Sequence, residues 1–453
     1  MSIRYAFRLL SALCFFVLLV CGEMQAVAAV ESPSPKVQKQ GIPSSEAQAD
    51  ETVAHSLAPG VQASLGEMRA KSAVLVEAST GTTIYEQNAD EPIEPASFTK
   101  ILTLYLVNEA LKNGTARLDD DVLVSEQAWR TGGSKMFLEV GSRVPLKEII
   151  KGIAVVSGND ASVAAGEHLA GSLDAFVELM NRKSQELGMT KSRFLNPHGL
   201  PAKGHITTAR DMARMNLAYL RLFPKSLHVH SLLNYSYNGI TQPNRNGLLF
   251  VDSSVDGLKT GYVSSSGYHL AATAEREGMR LLAVVMGASS SAAREREAMK
   301  LLNFGFRFYT LAKPFSEEER VSTIRVWKGK RDQLDLYPSE TPNFLISRET
   351  KNLLRWEVRA PAEVTAPVAE NTRLGEVIFY VSDTPQKRVP LINREGLERA
   401  GLFKRGQHAV QRLVVANWKI GGAAVGTAVI LVVLAITLRR RRTARRSRMR
   451  FIR

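Results

Sequence analysis

Nineteen consecutive residues without a charge, 420–438, stand near the C-terminus, and nine arginines follow within the next fifteen. At 1.5 Å of rise per residue such a run makes a helix of about 28 Å, close to the roughly 30 Å hydrocarbon core of a bilayer. Trp418 and Lys419 precede it, and Arg439, Arg440, Arg441 and Arg442 follow it. The pattern predicts one membrane-spanning helix over 420–438 with a basic cytoplasmic tail, 439–453. At the other end, Arg4 and Arg8 precede an apolar run over 9–20, and Ala26-Val27-Ala28 gives a small-x-small cleavage pattern. Residues 1–28 therefore read as an export signal. The body between these segments is expected outside the cytoplasm, on the periplasmic side of the cell membrane. Both cysteines, Cys14 and Cys21, lie in the signal, so the exported chain has no disulfide and must be held by its core.

The formal net charge of +15 mostly belongs to those ends. Without the signal and the tail, 48 basic residues face 43 acidic ones, so the basic balance carries no argument for a nucleic-acid partner. Residues 29–65 are rich in Ser, Pro, Ala, Gln and Glu and read as a disordered spacer.

From residue 66 the pattern becomes that of a folded body. Residues 72–76 read as a strand, 78–81 as a turn and 82–85 as the returning strand. Helical periodicity dominates from 97 to about 222. Strand patterns resume over 255–259, 267–274 and 281–286, and a helix over 292–309 closes the unit. Two strands, a helical block, three strands and a helix predict an α+β unit over 66–310, with one five-stranded antiparallel sheet packed by helices. Residues 311–403 carry short strands between Pro and Gly turns and predict a small all-β domain. Residues 404–419 form the linker to the anchor.

Three short motifs carry chemistry. Ser97 and Lys100 stand three residues apart where a helix begins, so their side chains share a face. A serine hydroxyl needs a base to take its proton, and a lysine serves as that base only when neutral. The same spacing also fits a surface Ser and Lys on an amphipathic helix. Ser157-Gly158-Asn159-Asp160 lies between an apolar helix, 146–156, and an Ala-rich one, 161–170. Its hydroxyl is suited to pass a proton and its amide to bind a substrate amide, but the same residues fit a plain helix cap. Lys259-Thr260-Gly261 enters a strand hairpin on an edge strand. There Gly261 would admit a substrate backbone, or would be a turn glycine beside a solvated lysine. His198 and His205 flank a Pro-Gly loop without ligand spacing, so no metal site is read. Neither a dinucleotide fingerprint nor a phosphate-binding loop is present, and no cofactor is expected.

Together, Ser97-x-x-Lys100, Ser157-x-Asn159 and Lys259-Thr260-Gly261 resemble the ordered motifs of penicillin-binding proteins and serine β-lactamases. The runs 133–138, 194–200, 239–249 and 255–262 are similar to the low-molecular-mass D-alanyl-D-alanine carboxypeptidases of the penicillin-binding protein 5/6 type. The all-β region resembles the second domain of that family, through Val326-Trp327-Lys328-Gly329 and Arg388-Val389-Pro390-Leu391-Ile392. The chain departs from it at the end, where relatives of that type often finish in an amphipathic surface helix.

The resemblance implies a β-lactamase/transpeptidase-like fold with a helical subdomain, and a serine-type D-Ala-D-Ala carboxypeptidase acting on peptidoglycan stem pentapeptides in cell-wall biogenesis. It implies Ser97 as nucleophile, Lys100 as base, Ser157 as proton relay and Asn159 as peptide-binding amide. Lys259 and Thr260 would hold the terminal carboxylate, with Gly261 and the weaker candidate Arg245 beside them. Backbone N–H groups of Ser97 and Tyr262 would form the oxyanion hole. β-Lactam antibiotics would acylate Ser97 and leave slowly. A D,D-endopeptidase would use the same residues on cross-linked substrate. A β-lactamase of the nearest class needs a glutamate that the loop around Asn196-Pro197-His198 does not offer. A non-catalytic wall-binding protein would not need every motif.

Overall fold

The computed structural model describes residues 65–408 except 382, together with residues 430 and 433. The expected signal, all but the last residue of the spacer, and the basic tail lie outside the described residues, as does the anchor save two positions. Among the described residues no helix is long and apolar enough to cross a membrane.

The first body is α+β. Strands β1 (Ser72–Glu77) and β2 (Thr83–Gln87) pair antiparallel. The chain then enters the helical block: α1 (Thr99–Asn113), α2 (Leu146–Ala154), α3 (Asn159–Ala170), α4 (Leu173–Glu186) and α5 (Ala209–Leu222). It returns to the sheet as β3 (Val255–Val263), β4 (Gly267–Arg276) and β5 (Met279–Ala288), and closes with α6 (Ser291–Phe308). The sheet has five strands in the order β2-β1-β5-β4-β3, all antiparallel, as expected from the sequence. Two short hairpins inside the helical block, Asp121–Leu123 with Arg143–Pro145 and Asn234–Tyr237 with Ile240–Pro243, are not visible in the sequence pattern.

Alternation along the strands splits the core in two. Val74, Val76, Leu282, Val284 and Met286 face the helical block. Ala73, Leu75, Ala272, Ala283 and Val285 face α6. Side chains alternate with period two, and covering both faces demands apolar residues at every position. Leu65, at the end of the expected spacer, is buried in the second cluster. Helix α1 lies at the centre of the block. Its first nine residues, Thr99 to Val107, are all buried. An apolar stripe over Ile101, Leu102, Leu104, Leu106 and Val107 is visible in the sequence; this first half of the helix is instead enclosed on all sides, which takes the Lys100 side chain out of water. Gly114, left-handed at φ 74°, ends it.

The C-terminal body is all-β. Strands β6 (Ser322–Trp327), β7 (Gln333–Pro338), β8 (Leu354–Arg359), β9 (Glu363–Thr365), β10 (Arg373–Val381) and β11 (Thr384–Ile392) form a six-stranded sheet, ordered β8-β10-β11-β7-β6-β9. It has its own core of residues such as Leu336, Phe344, Val377, Phe379, Val389 and Leu391. Residues 402–408 are helical. There His408 Nδ1 accepts the Lys328 N–H at 2.9 Å, which folds the start of the expected linker onto this body.

Buried histidines tie the first body together in their neutral form. His230 Nδ1 donates to Leu258 O and its Nε2 accepts the Tyr219 hydroxyl, both at 3.0 Å. His269 Nε2 donates to Glu94 O at 3.0 Å while its Nδ1 accepts the Gly287 N–H at 2.9 Å. His205 Nε2 lies 3.0 Å from Thr99 Oγ1. Burial is the main cause that lowers each of these rings to about 4. As pH falls from 6.5 toward 4, the unfolded chain takes up protons at these rings before the folded chain does, so stability must fall with pH in that window. Urea unfolding at pH 7 and pH 5 should show a loss on the order of a few kcal/mol. Equal stability at the two values would contradict the neutral burial of these rings.

Candidate active site

Ser97 sits in one 3₁₀ turn, Ala96–Phe98, that runs directly into α1. Lys100 follows one turn later and is fully buried. Its Nζ lies 3.0 Å from Ser97 Oγ and donates to Asn159 Oδ1 and to the His198 carbonyl, both at 2.6 Å. Asn159 Nδ2 donates to Gly132 O at 2.6 Å. A carbonyl only accepts, so that bond fixes which end of the amide faces Lys100. Burial, followed by the nearby charge of Lys259, pushes the Lys100 amine well below its ordinary value, and Asp160 opposes the shift.

The second motif is not a simple cap. Gly158 occupies the N-cap of α3 without a side-chain cap bond, and Asn159 is the first helical residue. Ser157 is held left-handed at φ 62° and is nearly buried, a backbone state that non-glycine residues rarely adopt.

The third motif lies on β3, an edge strand of the sheet. Lys259 is buried, not solvated, and donates to Thr260 O at 3.1 Å. Burial and the charges of Arg294 and Arg245 lower it to about 7. Such a lysine is not a fixed cation in the empty site; an arriving carboxylate would favour its ammonium form. The space beside Gly261 also differs from expectation. A Cβ there would lie 3.1 Å from Ala96 Cβ and 3.3 Å from Ser97 N. The glycine thus also admits the turn that carries Ser97 and brings β3 close against it.

Ser97, Ser134, Ser157, Asn159, His198, Arg245, Thr260, Gly261, Tyr262 and Arg294 line one cleft of about 520 Å³. Tyr262 is half exposed and its ring packs on Tyr268, with centroids 4.3 Å apart. A larger groove of about 740 Å³ lies on the all-β body, but its charges pair with one another, as in Arg331–Glu395 and Lys404–Asp332. It holds no nucleophile.

Two participants were missed from sequence. The His198 carbonyl belongs to a loop bent by Asn196, whose Oδ1 accepts the Gly199 N–H at 2.6 Å, while Thr103 Oγ1 donates to Pro197 O at 2.7 Å. A backbone acceptor has no side-chain signature. Arg294, on α6, is buried, and its guanidinium donates to Gly261 O at 3.5 Å and Arg245 O at 3.2 Å. In the sequence it is one of four consecutive charges, 294–297, with nothing to mark it out. The arrangement offers a hydroxyl beside an amine whose charged form is disfavoured by burial, and a cationic end made by Lys259, Arg245 and Arg294. Among the described residues no cluster able to hold a metal ion is present.

Gly199 bends at φ 87°, and a Cβ there would lie 1.8 Å from Ala96 O. Gly199→Ala must therefore displace either the Ser97 turn or the His198 carbonyl. A shift of 1 Å costs about 100-fold in rate. Acylation of Ser97 by a labelled β-lactam should slow by about that factor at a temperature where the variant is folded, and a wild-type rate would show the contact to be slack.

Comparison with known proteins agrees with this geometry. Residues 58–290 match the family described as D-alanyl-D-alanine carboxypeptidase, and residues 309–399 match the penicillin-binding protein 5 C-terminal domain. The chain is 38% identical over 344 residues to D-alanyl-D-alanine carboxypeptidase DacC of Escherichia coli (strain K12), covering 74% of this chain and 86% of the relative. It is 36% identical over 339 residues to DacF of Bacillus subtilis (strain 168), covering 74% and 87%. The structure resembles penicillin-binding protein 5 from Haemophilus influenzae with a TM-score of 0.67 at 33% identity, covering 74% of this chain and 98% of that one. With Ser97 and Asn159 in one cleft and the buried Lys100 bonded to both, the chain belongs to the serine-type D-alanyl-D-alanine carboxypeptidase family.

Proposed function

We propose that Ser97 is the nucleophile and Lys100 its general base in cleavage of the terminal D-alanine from peptidoglycan stem pentapeptides. One observation carries the assignment: Nζ of a buried Lys100 has two carbonyl-type acceptors and one hydroxyl as neighbours. In its neutral form the amine has two N–H groups for the former and one lone pair for the latter; the charged form would donate to all three, and burial with the charge of Lys259 disfavours it. Ser97 Oγ–H then donates to Nζ, and as Oγ attacks the carbonyl between the two D-alanines, that proton passes to Lys100. Ser157 relays it to the departing amine, and the C–N bond breaks to leave an ester on Ser97. Water then hydrolyses the ester, releasing a stem peptide one residue shorter. Backbone N–H groups of Ser97 and Tyr262 stabilise the oxyanion, where one donor is typically worth about 100- to 1000-fold. Asn159 also holds the peptide. Lys259, Thr260, Arg245 and the buried Arg294 hold the terminal carboxylate. A β-lactam acylates Ser97 by the same route. The purified enzyme should release D-alanine from such a pentapeptide, and Ser97→Ala should neither release it nor take up labelled β-lactam.

Lys100 and Lys259 should fail differently. Lys100→Arg supplies no neutral base, because guanidinium stays protonated. It should abolish acylation in a folded protein. Lys259→Arg keeps a cation for the carboxylate and should retain part of the rate. Comparable acylation rates in the two variants would remove the base role from Lys100.

We further infer that residues 420–438 anchor the enzyme by one span, with the catalytic body on the periplasmic side. Support comes from the apolar length and the arginines that follow it. Protease added from outside should digest the body and spare a short Arg-rich C-terminal fragment; a protected body would reverse the orientation.

A further inference from the structure

Asp160 follows Asn159 in the first turn of α3, and its carboxylate is buried without an ion-pair partner among the described residues. Oδ1 accepts the backbone N–H groups of Met136 and Ala161, both at 2.9 Å. Oδ2 accepts those of Phe137 at 2.9 Å and Leu138 at 3.2 Å. Three of these four donors belong to one loop. That loop is under strain, because Phe137 sits left-handed at φ 67°. It is also the wall of the cleft, through Gly133 and Ser134. It touches Asn159 twice more: Asn159 N donates to Ser134 O at 2.7 Å, and Nδ2 to Gly132 O at 2.6 Å. The second bond orients the amide whose Oδ1 receives Lys100.

We propose that Asp160 is a positioning residue for acylation: its carboxylate clamps the 136–138 backbone, which sets Gly132 and Ser134 against Asn159 and so seats the Lys100 amine. The inference rests on Lys100 as the base of the reaction. Asp160 has a second effect through charge. The charged groups that act on Lys100 are Lys259 from β3 and Asp160 from α3, while Lys100 itself acts on His198 in the 196–200 loop. Arg294 and Arg245 act on Lys259 in turn. Asp160 is the anion in this set, so it favours the ammonium form. Removing its charge lowers the proton affinity of Lys100.

The test is Asp160→Asn in the full chain, which keeps the size but turns an NH₂ toward backbone N–H groups. Second-order acylation by a labelled β-lactam is measured from pH 5 to pH 9, at a temperature where a melting curve shows the variant folded. The clamp predicts a loss of about 10- to 100-fold, with the acid limb of the profile moved to lower pH. A helix cap with no further role would lower the melting temperature and leave the limb in place. A rate near wild type, or a loss that only follows the unfolded fraction with an unmoved limb, overturns the proposal. If the variant does not fold, hydrogen exchange in the wild type decides. The Met136, Phe137 and Leu138 amides should exchange as slowly as core amides of α3; exchange at the speed of an open loop overturns it. A wild-type profile without an acid limb would instead remove the Lys100 reading, and this proposal with it.

Discussion

A lysine amine buried without a counter-ion governs this structure. Taking an ammonium out of water costs several kcal/mol unless an anion receives it. Among the described residues no carboxylate lies within ion-pair distance of Lys100, and the oxygens of Asp160 are occupied by backbone N–H groups. The amine is left with the Asn159 amide oxygen, the His198 carbonyl and the Ser97 hydroxyl. These three partners satisfy either form of the amine; it is burial, with the charge of Lys259, that disfavours NH₃⁺. The surrounding oddities of backbone serve it. The bend at Gly199 delivers one carbonyl, the loop at 132–138 orients the amide, and the close approach at Gly261 presses β3 against the nucleophile's turn.

Electrostatics divides the cleft into two ends. Lys259, Arg294 and Arg245 gather at one, with Arg294 itself buried and lowered first by that burial. The other end holds the serine and its neutral neighbour. In the proposed mechanism a substrate's terminal carboxylate is drawn to the cations and the preceding peptide bond meets Ser97. Of these cations Lys259 makes it harder for Lys100 to hold a proton, and Arg294 and Arg245 do the same to Lys259, so under the proposed mechanism the charges that recognise the substrate also prepare the base. The arriving carboxylate partly cancels that repulsion, and Lys259, near neutrality at about 7 in the empty site, is the group best placed to respond.

Much of this was legible in the residues because the relevant signals were side-chain patterns. Ser97 and Lys100 share a helix face by spacing alone, and the strands of the sheet announced themselves by composition. Ser157, Asn159 and Lys259 were ambiguous one at a time, since a cap or a turn explains each; the ordering of the motifs raised them. What stayed hidden is of another physical kind. The His198 carbonyl is backbone. Asp160 works through backbone N–H groups 22 to 24 residues away. Arg294 is one of four consecutive charges, 294–297, and its burial depends on the packing of α6. The enclosure of α1 was equally invisible, because local periodicity reports one apolar face and not what covers the others.

The neutral state of Lys100 is the claim on which the rest stands, and it can be observed directly. Lysine labelled at Nζ and Cε, followed by NMR in the free enzyme from pH 6 to pH 11, reports each amine separately, and Lys100→Arg identifies the resonance. Lys100 should lose its proton at a pH well below that of the exposed lysines, which lose theirs near the ordinary value of about 10.4. A Lys100 signal that titrates with the exposed lysines would contradict the account.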